Sequence, residues 1–407
     1  MDRGLYRTLT FQPTEQELAE DITGTYGTDK TFNGGAKFTL PDNEILDVAD
    51  LRDLMKITGR GGMSLEIDNL LFDMNNTNQG TPDPDTAFQQ ASCVNIKSDG
   101  TPGISRIDVS DIVIIRPVGD GLTFGGSNAQ TETFGDIYVN NVEESGRLYS
   151  RSTVTFVAPF NYAEVRDCPS IDSIEVELNY HVEGMQNTMH VENVTVARQL
   201  DINFKNPLFE WPQFTGRDLT VAGRINFLAG DYDIRDFAFT VSTARWRMSP
   251  GDMYFENGSV VFADGISDIT GTANNEGFIR PAGLSGYTLT FKDVDFINND
   301  TNSPWIFSDE NQLLEGQEVI FDNCTFDANC RIFLRGGRFT FRNCSISWDS
   351  ATEAFIEGGT RNGGVTNVYT FENNKAPDTY LFDPATGGAN ESYTVVASGN
   401  NALGVEL

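Results

Sequence analysis

The stretch FDNCTFDANCRIFLRGGRFTFRNCSISWDS, residues 321–350, contains the same phrase twice. Phe321-Asp-Asn323-Cys324-Thr-Phe326 returns as Phe341-Arg-Asn343-Cys344-Ser-Ile346. The shared form is apolar, any, Asn or Asp, apolar, any, apolar. Moving toward the C-terminus, Phe371-Glu-Asn373-Asn374 begins it again. Moving toward the N-terminus, it recurs at Phe291 with Asp293, Phe255 with Asn257, Ile234 with Asp236, Val191 with Asn193, Val165 with Asp167, Val139 with Asn141, Val109 with Asp111 and Ile67 with Asn69. A weaker copy, Gly216-Arg-Asp218-Leu219-Thr-Val221, fills the remaining gap and brings the number to twelve.

A position not used to find the copies checks them. Two residues before each stand Leu65, Ile107, Ile137, Ala163, Met189, Phe214, Tyr232, Met253, Leu289, Val319, Phe339 and Tyr369, all apolar or aromatic. Inward residues therefore alternate, lose parity at Asn or Asp, and alternate again. A straight strand keeps one parity, so each Asn or Asp marks a bend. These two residue types tolerate the left-handed backbone and bond locally. Each copy reads as strand, tight bend, strand. The copies are spaced by about 18 to about 42 residues, the range of a β-solenoid with loops of free length between fixed rungs.

Composition agrees with a packed chain: 39% of the 407 residues are hydrophobic, with 29 Phe for a core and 39 Gly for turns. The formal charge of −31 opposes the counterion release that holds proteins on nucleic acid, so no nucleic-acid partner is expected. An acid-rich, Lys-poor surface suits high salt, and a halophilic source is an expectation. The opening MDRGLYRTLTFQPTEQELAEDI has no apolar signal core, and no segment approaches ~18 apolar residues, so neither classical secretion nor membrane insertion is expected. Five irregularly placed cysteines make no disulfide framework and suggest a reducing cytoplasm.

The repeat resembles that of the pectin-lyase-like, right-handed parallel β-helix superfamily, whose coils turn at an Asn-bearing bend; the resemblance covers roughly residues 60–400. It implies an all-β, single-stranded solenoid of about 12–13 coils over residues 34–407, with residues 1–33 as an N-terminal cap or attachment segment. Within that cap, PTEQELAEDI (13–22) reads as a short helix, Thr14 as N-cap and Glu17 completing a capping box. Cys168, Cys324 and Cys344 fall at the first inward position after a bend and read as small buried hydrophobes, close enough between coils for a disulfide by distance alone.

Enzymes of this superfamily act on polysaccharides, but the polygalacturonase motifs Asn-Thr-Asp, Asp-Asp, Gly-His-Gly and Arg-Ile-Lys are absent. No fixed calcium-and-base motif of the lyase branch is present either. Paired carboxylates need no motif. The candidates are Asp83 with Asp85, Asp99 with Asp120, and Glu143 with Glu144, although Gly-Asp120-Gly also reads as a β-helix turn. For glycan contact the candidates are Trp246 between Arg245 and Arg247, and Trp305 beside Pro304; Trp348 reads as core and His190 as outward. No metal site is assigned, but calcium is conceivable at Asp231, Asp233 and Asp236, or at Asp293 and Asp295.

The resulting expectation is a virion protein made in the host cytoplasm: a tail spike, fibre or capsid appendage, commonly a homotrimer. Its partners would be other virion proteins and a host-surface polysaccharide or glycoprotein. A polysaccharide hydrolase or lyase is the alternative, and an exported adhesin the third class.

Overall fold

The structure, a computed structural model, describes residues 15–17, 22–26, 30–33, 37–39, 53–79, 92–99, 103–126, 132–148, 152–178, 182–204, 212–242, 246–248, 251–266, 277–281, 287–300, 305–308, 318–334, 337–350, 353–358, 367–376, 381–383 and 393–401, with positions 28, 35 and 180. Contacts divide the chain into two compact units, Met1–Asp172 and Ser173–Leu407. The described residues are almost all strand or turn, with one short 3-10 turn at Asn76–Asn78. No helix among them is long and apolar enough to cross a membrane.

Each unit is a right-handed parallel β-helix. Pairing is parallel throughout, as between Ser64–Asp73 and Ile104–Ile115 in the first unit, or Asp231–Val241 and Met253–Phe262 in the second. The right-handed course is the one that parallel crossovers take.

The corners fall where the repeat puts them. Asn69, Asp111, Asn141, Asp167, Asn193, Asp218, Asp236, Asn257, Asp293, Asn323, Asn343 and Asn373 all have φ between 48° and 58°, the left-handed region that Asn and Asp tolerate best among non-glycine residues. Their side chains add a link between coils: the Asn141 amide donates to Asp111, Asn257 to Asp236, and Asn323 to Asp293. The twelve check positions, Leu65 through Tyr369, are all buried, with at most 2% of their surface exposed.

Like side chains stack rung over rung. Phe291, Phe321, Phe341 and Phe371 pair in register, with successive ring centroids 5.4, 4.8 and 5.7 Å apart and nearly parallel planes. Cys324 and Cys344 occupy the first inward position after the bend, and Asn374 takes that position in the next coil. There the Asn374 Oδ1 accepts the Cys344 N–H (2.9 Å) and its amide donates to the Phe341 carbonyl (2.9 Å). All five cysteines are free thiols and buried. Burial pushes the Cys168 thiol up to about 12, so it is inert as a nucleophile at neutral pH.

Two features differ from expectation. Within the expected capping helix the described residues are strand: Glu15–Glu17 pairs with Lys37–Thr39, and Ile22 opens the strand Ile22–Tyr26, which pairs with Met55–Gly59. The edge N–H and C=O groups of the neighbouring strands are satisfied by strand addition, which overrides the local capping signal. Several coils also carry a third short strand that the repeat does not mark, such as Leu122–Phe124, Val154–Phe156, Trp246–Met248 and Arg331–Leu334.

Candidate functional site

Outward residues of four successive coils in the second unit form two parallel columns. Gln213, Asp231, Asp252 and Thr288 make one; Thr215, Asp233, Tyr254 and Thr290 make the other, two residues further along each strand. Together they line a groove of about 450 Å³. Inward Phe214, Tyr232 and Met253 form its floor and fix the strands that carry it. The Tyr232 hydroxyl donates to the Ile202 and Leu228 carbonyls (3.2 and 3.0 Å), so it points into the core and is not offered to the groove.

The first column is held by backbone. Asp231 Oδ1 accepts the Asp252 N–H (2.9 Å), and Asp252 Oδ1 accepts the Thr288 N–H (2.8 Å). Burial, and then the nearby Asp252 charge, hold the Asp231 carboxyl above the usual carboxylate range.

The second column borders a row of charges. Arg235 donates to both oxygens of Asp233 (2.9 and 3.1 Å), and Arg217 reaches its Oδ1 (3.3 Å). Burial alone would raise Asp233, but these two guanidiniums outweigh it and hold the carboxyl below its ordinary value. Glu256 pairs with Lys292 and with Arg235 (3.1 Å), and is likewise lowered, first by the Lys292 hydrogen bond. The Arg235 guanidinium lies 5.2 Å from the centre of the Tyr254 ring. Farther down the same face His190 Nδ1 is 2.7 Å from Thr215 Oγ1, which places the imidazole outward as expected.

The residues singled out from the sequence come together elsewhere or not at all. Asp83, Asp85 and Arg245 lie outside the described residues. Asp99 is exposed at the end of Val94–Asp99, whereas Asp120 is buried beside Cys93, whose N–H donates to its carbonyl (3.0 Å). Seven strand positions separate the two, roughly 20 Å, so they cannot share a substrate bond. Asp120 instead accepts the Ser152 N–H (3.1 Å) as a turn residue. Glu143 and Glu144 point to opposite faces: Glu143 is exposed, and Glu144 is buried against Arg147, which also donates to the Gly119 carbonyl (2.7 Å).

Trp246 is not a surface aromatic. It is fully buried in the core, edge-on to Phe255 (5.2 Å) and Phe239 (5.6 Å). Trp246 is the inward residue of a short strand and Arg247 its exposed neighbour, so the Arg-Trp-Arg pattern is strand alternation. Trp305 is in a strand and only 7% exposed, because Arg331 covers it with its guanidinium carbon 4.3 Å from the ring centre. Trp348 packs on the same guanidinium at 5.1 Å and is half-buried rather than core.

The acids considered for calcium have other duties. Asp236 accepts from Asn257, Asp293 from Asn323 and Asp295 from Thr325. Among the described residues no three acids, histidines or thiols converge on a common point. Sequence reasoning noticed Asp231 and Asp233 but missed Asp252 and Tyr254; aligning outward positions across the copies would have placed all four in two columns.

No family model matches this chain, and no curated protein matches it. Among solved structures it is similar to the A-module of a mannuronan C-5 epimerase from Azotobacter vinelandii, at 12% identity over 94% of this chain and 91% of that one, with a TM-score of 0.18.

Proposed function

We propose that this solenoid is a glycan-binding protein and that the groove between Gln213 and Thr290 is where a saccharide lies. One observation carries the reading: a concave face of about 450 Å³ in which amide, hydroxyl and carboxylate side chains repeat at rung spacing beside a partly exposed tyrosine. Sugars are recognised by such rigid polar arrays together with an aromatic face. Because backbone hydrogen bonds fix Asp231 and Asp252 and two arginines fix Asp233, little side-chain entropy is lost on binding.

The test is affinity electrophoresis through gels containing neutral polysaccharides, followed by calorimetry with oligosaccharides of those retained. Tyr254→Ala should weaken binding about tenfold. An unchanged affinity, or no retention in any gel, overturns the reading. The carrier we propose is a virus particle, with the chain as a homotrimeric spike, fibre or capsid appendage. Its support is the likeness of an Asn-cornered solenoid to such appendages, and light scattering of the purified chain tests the trimer.

A second reading, cleavage of the bound glycan, has one observation in its favour. Asp231 and Asp233 are side by side on one strand face, with carboxyl pKa values displaced in opposite directions, as an acid and its partner require. Product sizing after incubation with the bound polysaccharide separates binding from cleavage.

A further inference from the structure

We infer that the groove selects a positively charged sugar, an oligosaccharide with free amino groups, which it holds between Asp231 and Asp252. This rests on the glycan-binding reading above.

The inference comes from a break in an otherwise balanced charge pattern. Beside the groove the acids are neutralised within the protein: Asp233 by Arg217 and Arg235, Glu256 by Arg235 and Lys292. Asp231 and Asp252 are not. Each spends one oxygen on a backbone N–H of the following coil, and among the described residues the other oxygen has no hydrogen bond or ion pair. Adjacent rungs set the two carboxylates about 4.8 Å apart. Two anions at that spacing, fixed by the backbone and with no cation paired to them among the described residues, make a receptor for one from outside.

The chemistry of that cation follows from the number of ligands. Calcium takes about 6–8 oxygens, and only two free carboxylate oxygens are offered, since Asp233 is committed to its arginines. An ammonium has three donors and sits about 2.8 Å from each of two acceptors, with the Gln213 side-chain carbonyl or the Thr288 hydroxyl in the same column for the third. The remaining lining, Thr215, Tyr254 and Thr290, suits a polyhydroxylated ring bearing that amine. A uronate would meet like charge there, because the arginines beside the groove are already paired.

The experiment is calorimetry on the full chain with β-1,4-linked glucosamine hexamer, its N-acetylated counterpart and a galacturonate hexamer. The variants are Asp231→Asn/Asp252→Asn and, as a control with the same change in net charge, Glu183→Gln/Asp349→Asn at exposed positions. Asn keeps a carbonyl for the Asp252 and Thr288 N–H groups, and thermal melts confirm folding. We expect the wild-type chain to prefer the free amine over the acetylated hexamer by about tenfold. That ratio should collapse in the Asp231/Asp252 variant and persist in the control.

Equal affinities, tighter binding of galacturonate, or equal loss in both double variants would each overturn the inference. So would calcium alone binding the wild type and not the Asp231/Asp252 variant. Binding of acetylated or neutral sugars without an amine preference removes this inference and leaves the groove reading intact; no binding of any sugar removes both.

Discussion

The Phe237 ring occupies, from the preceding coil, the space in which a β-carbon on Gly258 would stand: its nearest ring carbons lie 2.5 Å from that position. The two residues pair in register at the inward site after the bend, where the other coils carry Leu70, Val142, Cys324 and their like. One coil gives up its side chain so that its neighbour can hold an oversized one. Gly258→Val should therefore cost about 2–3 kcal/mol by overpacking, and Phe237→Ala about 3 kcal/mol by cavity formation. Together they should cost at least about 1 kcal/mol less than their sum, measured by urea unfolding.

The left-handed corners predict a difference between two substitutions at one site. At Asn323, φ is 55° and the amide donates to Asp293. Asn323→Gly relieves the backbone and loses an exposed hydrogen bond, costing about 0.5–1 kcal/mol. Asn323→Val adds left-handed strain in a β-branched residue and should cost about 1–2 kcal/mol more. Equal melting temperatures for the two variants would refute the assignment of strain to this corner.

These corners were also what made the fold legible from sequence. An Asn or Asp at positive φ leaves a visible mark because few other residues suit that place, and the alternation on either side gives it phase. The third strands had no such mark. In Leu122–Phe124, Val154–Phe156 and Arg331–Leu334 every residue is buried, so the inside-outside alternation is erased. That is also why Trp305 was misread as a surface aromatic, whereas Trp246 does alternate with exposed Arg247, in a strand of three residues too short to show a period. The groove was hidden for another reason: Asp231, Asp252 and Tyr254 are ordinary outward residues of separate copies, and only stacking brings them together.

Glu144 and Arg147 form an ion pair sequestered from water, with side-chain exposures of 1% and 4%. Arg147 also reaches Asp172 at 3.8 Å and donates to the Gly119 carbonyl. Glu144→Ala leaves that guanidinium buried with weaker compensation and should cost about 3 kcal/mol. Glu144→Gln should cost less, because its amide oxygen still accepts from Arg147. Thermal melts of the two variants check the order.

Asp233 links the groove to pH. Its folded pKa lies below its unfolded value because Arg235 and Arg217 outweigh burial. The stability it contributes is therefore fully present above the unfolded carboxylate range near pH 4 and is lost as pH falls through the depressed folded value. At a partly exposed site, Asp233→Asn should cost about 0.5–1 kcal/mol at pH 7. The gap between wild type and variant should close on acidification below about pH 4, and a gap constant across that window would contradict the pairing.

The repeat of Phe321 at Phe341 has an engineering consequence. Residues 321–340 amount to one whole turn, so excising them joins Ile320 to Phe341 with Val319 still inward and Phe341 landing over Phe291. The shortened chain should fold with its pitch intact and its helix axis about 4.8 Å shorter. Removal of nineteen or twenty-one residues should scramble it. Length in this molecule is thus a digital property: it can be edited in whole cassettes, and each edit moves whatever the flanks display by one fixed step.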